Sequence, residues 1–375
     1  MLHDAPRRAW HRRKNVFMRN DIRVGITHGD FNGVGYEVII KALADEEFTD
    51  LCTPVIFGSA ELLNQTRKNL QVENFRFTPV RSAADAQTGK VNIVDVCPKG
   101  LEMTPGYPSP EAGEAAVTAL EAACDALESG DIDLLVTAPI NKKTTNSERF
   151  SFPGHTEYLE ARFGADDAKA TMILFDDTMR VALVTTHRAI KDVAGAITRE
   201  AVKEKIECLD AALRQDFRFD KPRIAVLSLN PHNGDNGLLG QEEINEISPA
   251  VADCVKDGIL VFGPFAADGF FGTADYLKYD GILAMYHDQG LAPFKALAKE
   301  YGVNYTAGLP YVRTSPDHGT AYNIAGKNEA DPTSMRQAIY KGIDLARNRR
   351  MHREATANPL PKAKIDRRQK QTEES

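Results

Sequence analysis

Three of the nine histidines fall in the same kind of place. His187 closes Val181-Ala-Leu-Val-Thr-Thr-His187, His232 closes Ile224-Ala-Val-Leu-Ser-Leu-Asn-Pro-His232, and His287 closes Ile282-Leu-Ala-Met-Tyr-His287. Each lies at or just beyond the carboxyl end of an apolar, strand-like run. In open α/β sheets that edge is where ligands bind. Three imidazoles gathered there can hold a divalent metal and leave positions open for a substrate oxygen. The competing interpretation is that each is an ordinary loop residue, since no spacing such as His-x-x-x-His joins them in one linear motif. Asp288 follows His287 directly, and Asp268 lies in Ala266-Ala-Asp-Gly-Phe-Phe. Either carboxylate can orient a histidine or a metal-bound water, or accept a proton; either can equally be a cap or loop residue.

A second set of residues suits an anion. Lys295, Asn304 and Arg313 follow His287 in the chain, and Arg313 precedes Thr314-Ser-Pro-Asp-His318-Gly-Thr320. A lysine and an arginine converging with amide or hydroxyl donors match a phosphate monoester, whereas taken singly each would be a surface charge. His155 and Thr156, in Phe152-Pro-Gly-His-Thr-Glu157, open a helix whose free amides can take an anion, unless Thr156 only caps it. The Gly-rich turn Thr27-His-Gly-Asp-Phe-Asn-Gly-Val-Gly35 follows a strand and precedes a helix, but its glycines at 29, 33 and 35 do not match G-x-G-x-x-G. It reads as a tight turn with close backbone packing.

The elements that must position these residues alternate. Strand-like runs are Ile22–Thr27, Pro54–Phe57, Val91–Val96, Asp133–Ala138, Thr171–Phe175, Arg180–Val184, Arg223–Ser228 and Gly281–Met285. Helical spacing predicts Tyr36–Leu43, Glu111–Glu128, a helix capped by Thr198 and ending near Gln215, Glu242–Lys256 and Thr333–Arg347. Alternation of this kind predicts an α/β fold with a largely parallel sheet covered on both faces.

Composition narrows the function classes. The chain has 375 residues, 42% hydrophobic and 26% charged, as in an ordinary soluble protein of one large α/β unit or two lobes. No run approaches the roughly 18 apolar residues of a membrane span. A formal net charge of −7 argues against nucleic acid as the main partner. Five scattered cysteines, an odd number in no motif, indicate a reducing, cytoplasmic setting without disulfides. Residues 1–20 carry Arg7, Arg8, Arg12, Arg13, Lys14 and Arg19 against one acid, Asp4. We expect a disordered extension there, with Met18 a candidate alternative start, and a disordered tail over 351–375.

Taken in order, Thr-x-Gly-Asp-x-x-Gly-Val-Gly, Pro-Gly-His-Thr-Glu, Thr-Thr-His, Asn-Pro-His-x-Gly, Met-Tyr-His-Asp-Gln-Gly-Leu and Gly-Leu-Pro-Tyr-Val-Arg-Thr-Ser-x-Asp-His-Gly-Thr resemble the 4-hydroxythreonine-4-phosphate dehydrogenase family over residues 21–350. The resemblance implies an isocitrate/isopropylmalate-dehydrogenase-like fold. It would have a first lobe at 21–150 completed by about 310–350 and a second at 151–309. It also implies a homodimer with the active site at the subunit boundary. By motif, His187, His232 and His287 would bind a divalent metal (zinc, magnesium or cobalt), and His155, Thr156, Lys295, Asn304 and Arg313 a small phosphorylated hydroxy amino acid. NAD or NADP would accept the hydride, and oxidation with decarboxylation would serve vitamin B6 synthesis.

Departures lie in loops: His28 and Tyr36 stand where many members have proline, Asn141-Lys142-Lys143 replaces a more usual His-Lys or Asn-Lys pair, and Asp235-Asn-Gly-Leu-Leu-Gly-Gln lacks a common Glu-Gly-Gly-His run. They bear on the exact substrate, for which phosphorylated threonate or erythronate is the alternative. A phosphate acyltransferase of related architecture is a second alternative, though it would not need three histidines at strand ends.

Overall fold

The computed structural model describes residues 22–45, 47–164 and 170–359. The expectations for residues 1–20 and 360–375 fall outside them, but the tail expected to be disordered from 351 is helical as far as Thr356, continuing the final helix. Strands are β1 (Arg23–Thr27), β2 (Thr53–Gly58), β3 (Thr78–Val80), β4 (Asn92–Asp95), β5 (Leu134–Thr137), β6 (Thr171–Phe175), β7 (Arg180–Leu183), β8 (Arg223–Leu227), β9 (Leu260–Phe265), β10 (Gly281–Ala284), β11 (Val303–Ala307) and β12 (Val312–Pro316). The helices that matter below are α1 (Gly35–Leu43), α2 (Ala60–Asn69), α3 (Pro110–Glu128), α4 (His155–Phe163), α5 (Arg199–Gln215), α6 (Ser248–Lys256), α7 (His287–Ala298) and α8 (Thr333–Thr356).

All twelve strands form one sheet in the order β3-β4-β2-β1-β5-β12-β11-β6-β7-β10-β8-β9. It is mostly parallel, as the alternation predicts. β2 and β5 are buried at every position, because helices cover both faces and leave no solvent side for alternation to mark. The exceptions cluster in the middle: β11 runs antiparallel to β12 and β6, and β6 antiparallel to β7. None of the described helices is long and apolar enough to cross a membrane.

Helix ends follow local chemistry. Ser109 and Thr198 accept from the third residue of α3 and α5, the usual N-cap bond. The predicted helix 242–256 is interrupted: Glu243–Ile247 forms a single π turn before α6. There Pro249 removes one ladder donor. β3, β9, β11, β12, α2 and α7 go beyond the elements that the sequence pattern predicts. β12 carries a buried arginine and hydroxyl residues, so its composition hides it.

The central antiparallel strands present one face to a cavity. Register pairs Asn304 with Ser315 and Leu174, and Thr306 with Met172. By strand alternation Asn304, Thr306, Arg313, Ser315, Met172 and Leu174 share that face. Tyr305, on the other face, enters a buried network. Arg349 of α8 meets Asp216 through two bonds of 2.7 and 2.9 Å, and the Tyr305 hydroxyl donates to Asp216 at 2.5 Å.

Candidate active site

The cavity holds about 450 Å³ and is lined from the ends of β5 and β12, the seam of β6 and β11, and the first turns of α4 and α7. Of the residues singled out from sequence, His155, Thr156, His187, His287, Lys295, Asn304 and Arg313 line it. His232, Asp268 and Asp288 do not.

Arg313 defines the floor. It is only 4% exposed. Its guanidinium donates to Thr137 Oγ1 at 3.1 and 2.6 Å and to Thr306 Oγ1 at 3.2 Å, and no carboxylate pairs with it among the described residues. Burial lowers its pKa to about 10, with Glu157 opposing that shift; it stays a cation at neutral pH. A buried charge held only by hydroxyls is costly unless a counter-ion arrives. Around it, His155 Nε2 and Asn304 Oδ1 are buried without partners. Burial, then the charges of Arg313 and Lys142, hold His155 well below the usual histidine range, so its imidazole is neutral. The Arg313 cation without a counter-ion and the neutral His155 imidazole form a cradle for a polar anion, which Asn304 can join only through its amide NH2, since Oδ1 is an acceptor.

Lys295 is not free in this arrangement. Its ammonium pairs with Asp317 at 2.7 Å. Burial raises the Asp317 pKa, against the pull of Lys295. Any phosphate gripped by Lys295 must share it with that carboxylate.

The histidines divide. β7, β10 and β8 are adjacent and parallel, so the chain does bring the three strand ends side by side. His187 and His287 then face each other with ring centroids 6.2 Å apart. His187 Nδ1 lies 3.4 Å from Glu157 Oε1 and its Nε2 3.4 Å from Lys142 Nζ. His287 Nδ1 meets Asp288 Oδ1 at 2.7 Å, so Asp288 does touch a histidine while lying outside the cavity. His232 goes elsewhere. It starts a run of left-handed residues, with φ of 51° at His232, 57° at Asn233, 74° at Gly234, 43° at Asp235 and 50° at Asn236. Such a conformation costs most L-residues roughly 1–2 kcal/mol, but Gly, Asn and Asp, the other four here, adopt it most readily. It turns His232 to the exposed surface.

That outcome bears on the metal. Among the described residues no three His, Cys, Asp or Glu side chains are grouped to hold one. Within one chain the residues fit it only in part: His187 and His287 supply two nitrogens, and an ammonium sits against one of them. The Gly-rich turn does not fit a dinucleotide pyrophosphate. A Cβ on Gly29, Gly33 or Gly35 would lie 2.1–2.6 Å from the backbone oxygens of Pro139, Thr320 or His28. The glycines serve packing of chain on chain, which leaves no gap for phosphate.

Sequence reasoning passed over Lys142, Glu157, Asp317 and Thr137 as site residues. Lys142 stands five residues beyond the carboxyl end of β5, and the strand-end rule applied to the histidines would have reached it. Glu157 was inside the quoted Pro-Gly-His-Thr-Glu motif.

Comparison with known proteins gives consistent results. The family model described as pyridoxal phosphate biosynthetic protein PdxA matches residues 50–341. A 4-hydroxythreonine-4-phosphate dehydrogenase of Bacteroides thetaiotaomicron is 53% identical over 349 residues, covering 93% of this chain and 95% of that protein. The crystal structure of the enzyme of that name from Klebsiella pneumoniae superposes with a TM-score of 0.77 at 34% identity, over 88% of this chain and 99% of the other. One from Burkholderia phymatum gives 0.72 at 38%, over 87% and 99%.

Proposed function

Because the chain belongs to the PdxA family of pyridoxal phosphate biosynthetic proteins, we propose that it oxidises 4-phosphooxy-L-threonine and releases carbon dioxide, giving 3-amino-2-oxopropyl phosphate in the cytoplasm. The single observation that carries this reading is the buried Arg313 guanidinium with hydroxyl partners only, beside the unpartnered His155 Nε2. That arrangement asks for an anion, and a phosphate monoester fills it with charge-assisted bonds.

The chain's own residues bind and orient. Arg313, Asn304, His155 and Thr156 hold the phosphate, and Lys295 approaches it from its pair with Asp317. Anchoring that end fixes the carbinol carbon near His187 and His287, which turns a chance encounter into a placed one. Oxidation removes a hydride from C3 and the proton from its hydroxyl. The product is a β-keto acid, which loses carboxylate as carbon dioxide while a proton adds at C2. A nicotinamide cofactor would supply the hydride acceptor, and a divalent cation held in part by His187 and His287 would supply positive charge beside the alcohol and ketone oxygen. Neither Asp268 nor Asp288 lines the cavity, so we assign the proton acceptor to neither.

We further propose a homodimer with residues 21–150 and about 310–350 as one lobe and 151–309 as the other. The support is the exposed turn of His232 and the exposed apolar side chains after it, Leu238, Leu239 and Ile244. A second copy covering that surface would bury them and bring a third histidine to the pair His187 and His287.

The test is a panel of phosphorylated hydroxy acids, with threonate and erythronate 4-phosphates among them. Each is offered with NAD and with NADP, with and without chelator, and followed by absorbance of reduced cofactor. Turnover of 4-phosphooxy-L-threonine with release of carbon dioxide is expected. Faster turnover of a phosphorylated sugar acid would reassign the substrate; no reduction with any of them would reject the reading.

A further inference from the structure

We propose that Lys142 binds the substrate's carboxylate, so that the cavity reads two anions, one at each end of an extended phosphorylated hydroxy amino acid. This rests on the functional reading above and adds a residue to it.

The argument begins with charge. Three cations line the cavity: Lys142, Lys295 and Arg313. Two carboxylates line it: Glu157 and Asp317. Asp317 is matched to Lys295. Glu157 directs Oε1 to His187. Glu157 also acts through space on Lys142 and on Arg313, yet among the described residues neither cation has a carboxylate within ion-pair distance, so both can turn to a ligand. A phosphorylated hydroxy amino acid carries two anionic groups, phosphate and carboxylate, with the carbinol between them. Arg313 lies on the floor strand and presents a fork suited to phosphate. Lys142 lies beside His187, where the reacting carbon must come. Its ammonium has three donors. One points at His187 Nε2, 3.4 Å away, and the others have no partner among the described residues.

The lysine is also built into place. A Cβ on Gly154 would lie 3.9 Å from Lys142 Cε, so the stem runs along the glycine that opens α4. The backbone on either side is tied down. Asn141 Oδ1 accepts from Lys143 N at 2.9 Å, and Asn141 Nδ2 donates to the Tyr322 hydroxyl at 2.9 Å. That hydroxyl in turn donates to Asp30 Oδ2 at 2.6 Å. Asp30 belongs to the Gly-rich turn, and its amide donates to Pro139 O at 2.9 Å. The turn that carries no dinucleotide therefore has a use: it holds the loop from which Lys142 reaches the cavity.

The experiment compares two ligands on the full-length protein by calorimetry, without added nicotinamide cofactor so that nothing turns over. One ligand is 4-phosphooxy-L-threonine. The other is the phosphorylated amino alcohol that lacks only the carboxylate. Lys142→Met is expected to weaken the first about tenfold or more, as loss of a charge-assisted bond does, and to leave the second within about twofold. Lys142→Arg should restore part of the loss. Because Lys142 is exposed, an unchanged melting temperature is expected and is measured alongside. Equal weakening of both ligands, or of neither, overturns the assignment of Lys142 and leaves the functional reading standing. A wild-type protein that binds neither ligand overturns both.

Discussion

At the scale of the residue, two buried groups set behaviour that can be measured. Arg313 is held by hydroxyls that cannot neutralise it, and on the proposed reading its charge serves the ligand. Arg313→Ala should lower kcat/KM roughly ten- to a hundredfold, and preference for the phosphorylated over the unphosphorylated substrate should shrink with it. Arg313→Lys should recover only part, since one ammonium cannot reproduce a two-pronged guanidinium. A variant that kept the wild-type preference would return Arg313 to a structural role. His28 gives a pH signature. Its ring is fully buried, stacked on Tyr36 with centroids 4.9 Å apart. Burial lowers its pKa from 6.5 to about 4, against weaker opposing backbone bonds. Between those values the unfolded chain binds a proton that the folded one refuses. Its contribution is therefore complete above pH 6.5 and is lost as pH falls toward about 4. The loss is on the order of 3 kcal/mol at most. Thermal unfolding of His28→Leu across that window should show a shallower fall than the wild type, whatever its absolute stability.

At the scale of the element, the seam strands are fixed from behind. β11 shows Asn304 to the cavity and Tyr305 to the Asp216–Arg349 pair, so α8 and the C-terminal end of α5 hold the floor flat. Asp216 is 1% and Arg349 3% exposed. Removing one partner strands the other charge. Arg349→Ala should cost roughly 3–5 kcal/mol, read as a lower urea midpoint. Tyr305→Phe should cost about 1 kcal/mol; equal effects would mean the charge pair is not the main tie. The loop that carries Lys142 rests on α3. A Cβ at Gly113 would lie 2.0 Å from Thr144 O. Gly113→Ala must push that loop away, at a cost of about 1–3 kcal/mol, and should raise KM as Lys142 shifts. An unaltered KM would show that the loop absorbs the methyl without moving its lysine.

At the scale of the whole molecule, one face of the chain exposes apolar side chains near His232. Leu238 is 78% and Ile244 51% exposed beside His232, and clustered apolar exposure of that kind marks an interaction surface. Sedimentation should give about twice the 41.3 kDa chain mass. Leu238→Glu with Ile244→Glu should yield monomers with less bound metal and little turnover, their fold intact by circular dichroism. Active monomers would remove the need for a shared site. His232→Ala tests the same idea while leaving the apolar side chains of that surface in place: metal content should fall while the dimer survives.

The sequence alone determined the class of fold, because a parallel strand buried on both faces must be apolar along its length. It also fixed the strand ends that carry His187, His232 and His287, since three apolar runs stop at them. Seven of the residues singled out from sequence, from His155 to Arg313, meet in one cavity. Their motifs lie far apart in the chain, and only pairing of β5, β12, β11 and β6 could bring them together. What stayed hidden was decided by distance. β12 reads as a polar loop because its buried arginine is bonded to hydroxyls on two other strands, one of them 176 residues away. Lys295 reads as a free cation until Asp317, on a later segment, is found against it. His232 reads as the equal of His187 and His287 until its backbone is seen to turn left-handed. Local composition fixes which strand a residue ends; the direction its side chain then takes depends on the loop and on whatever surface that loop meets.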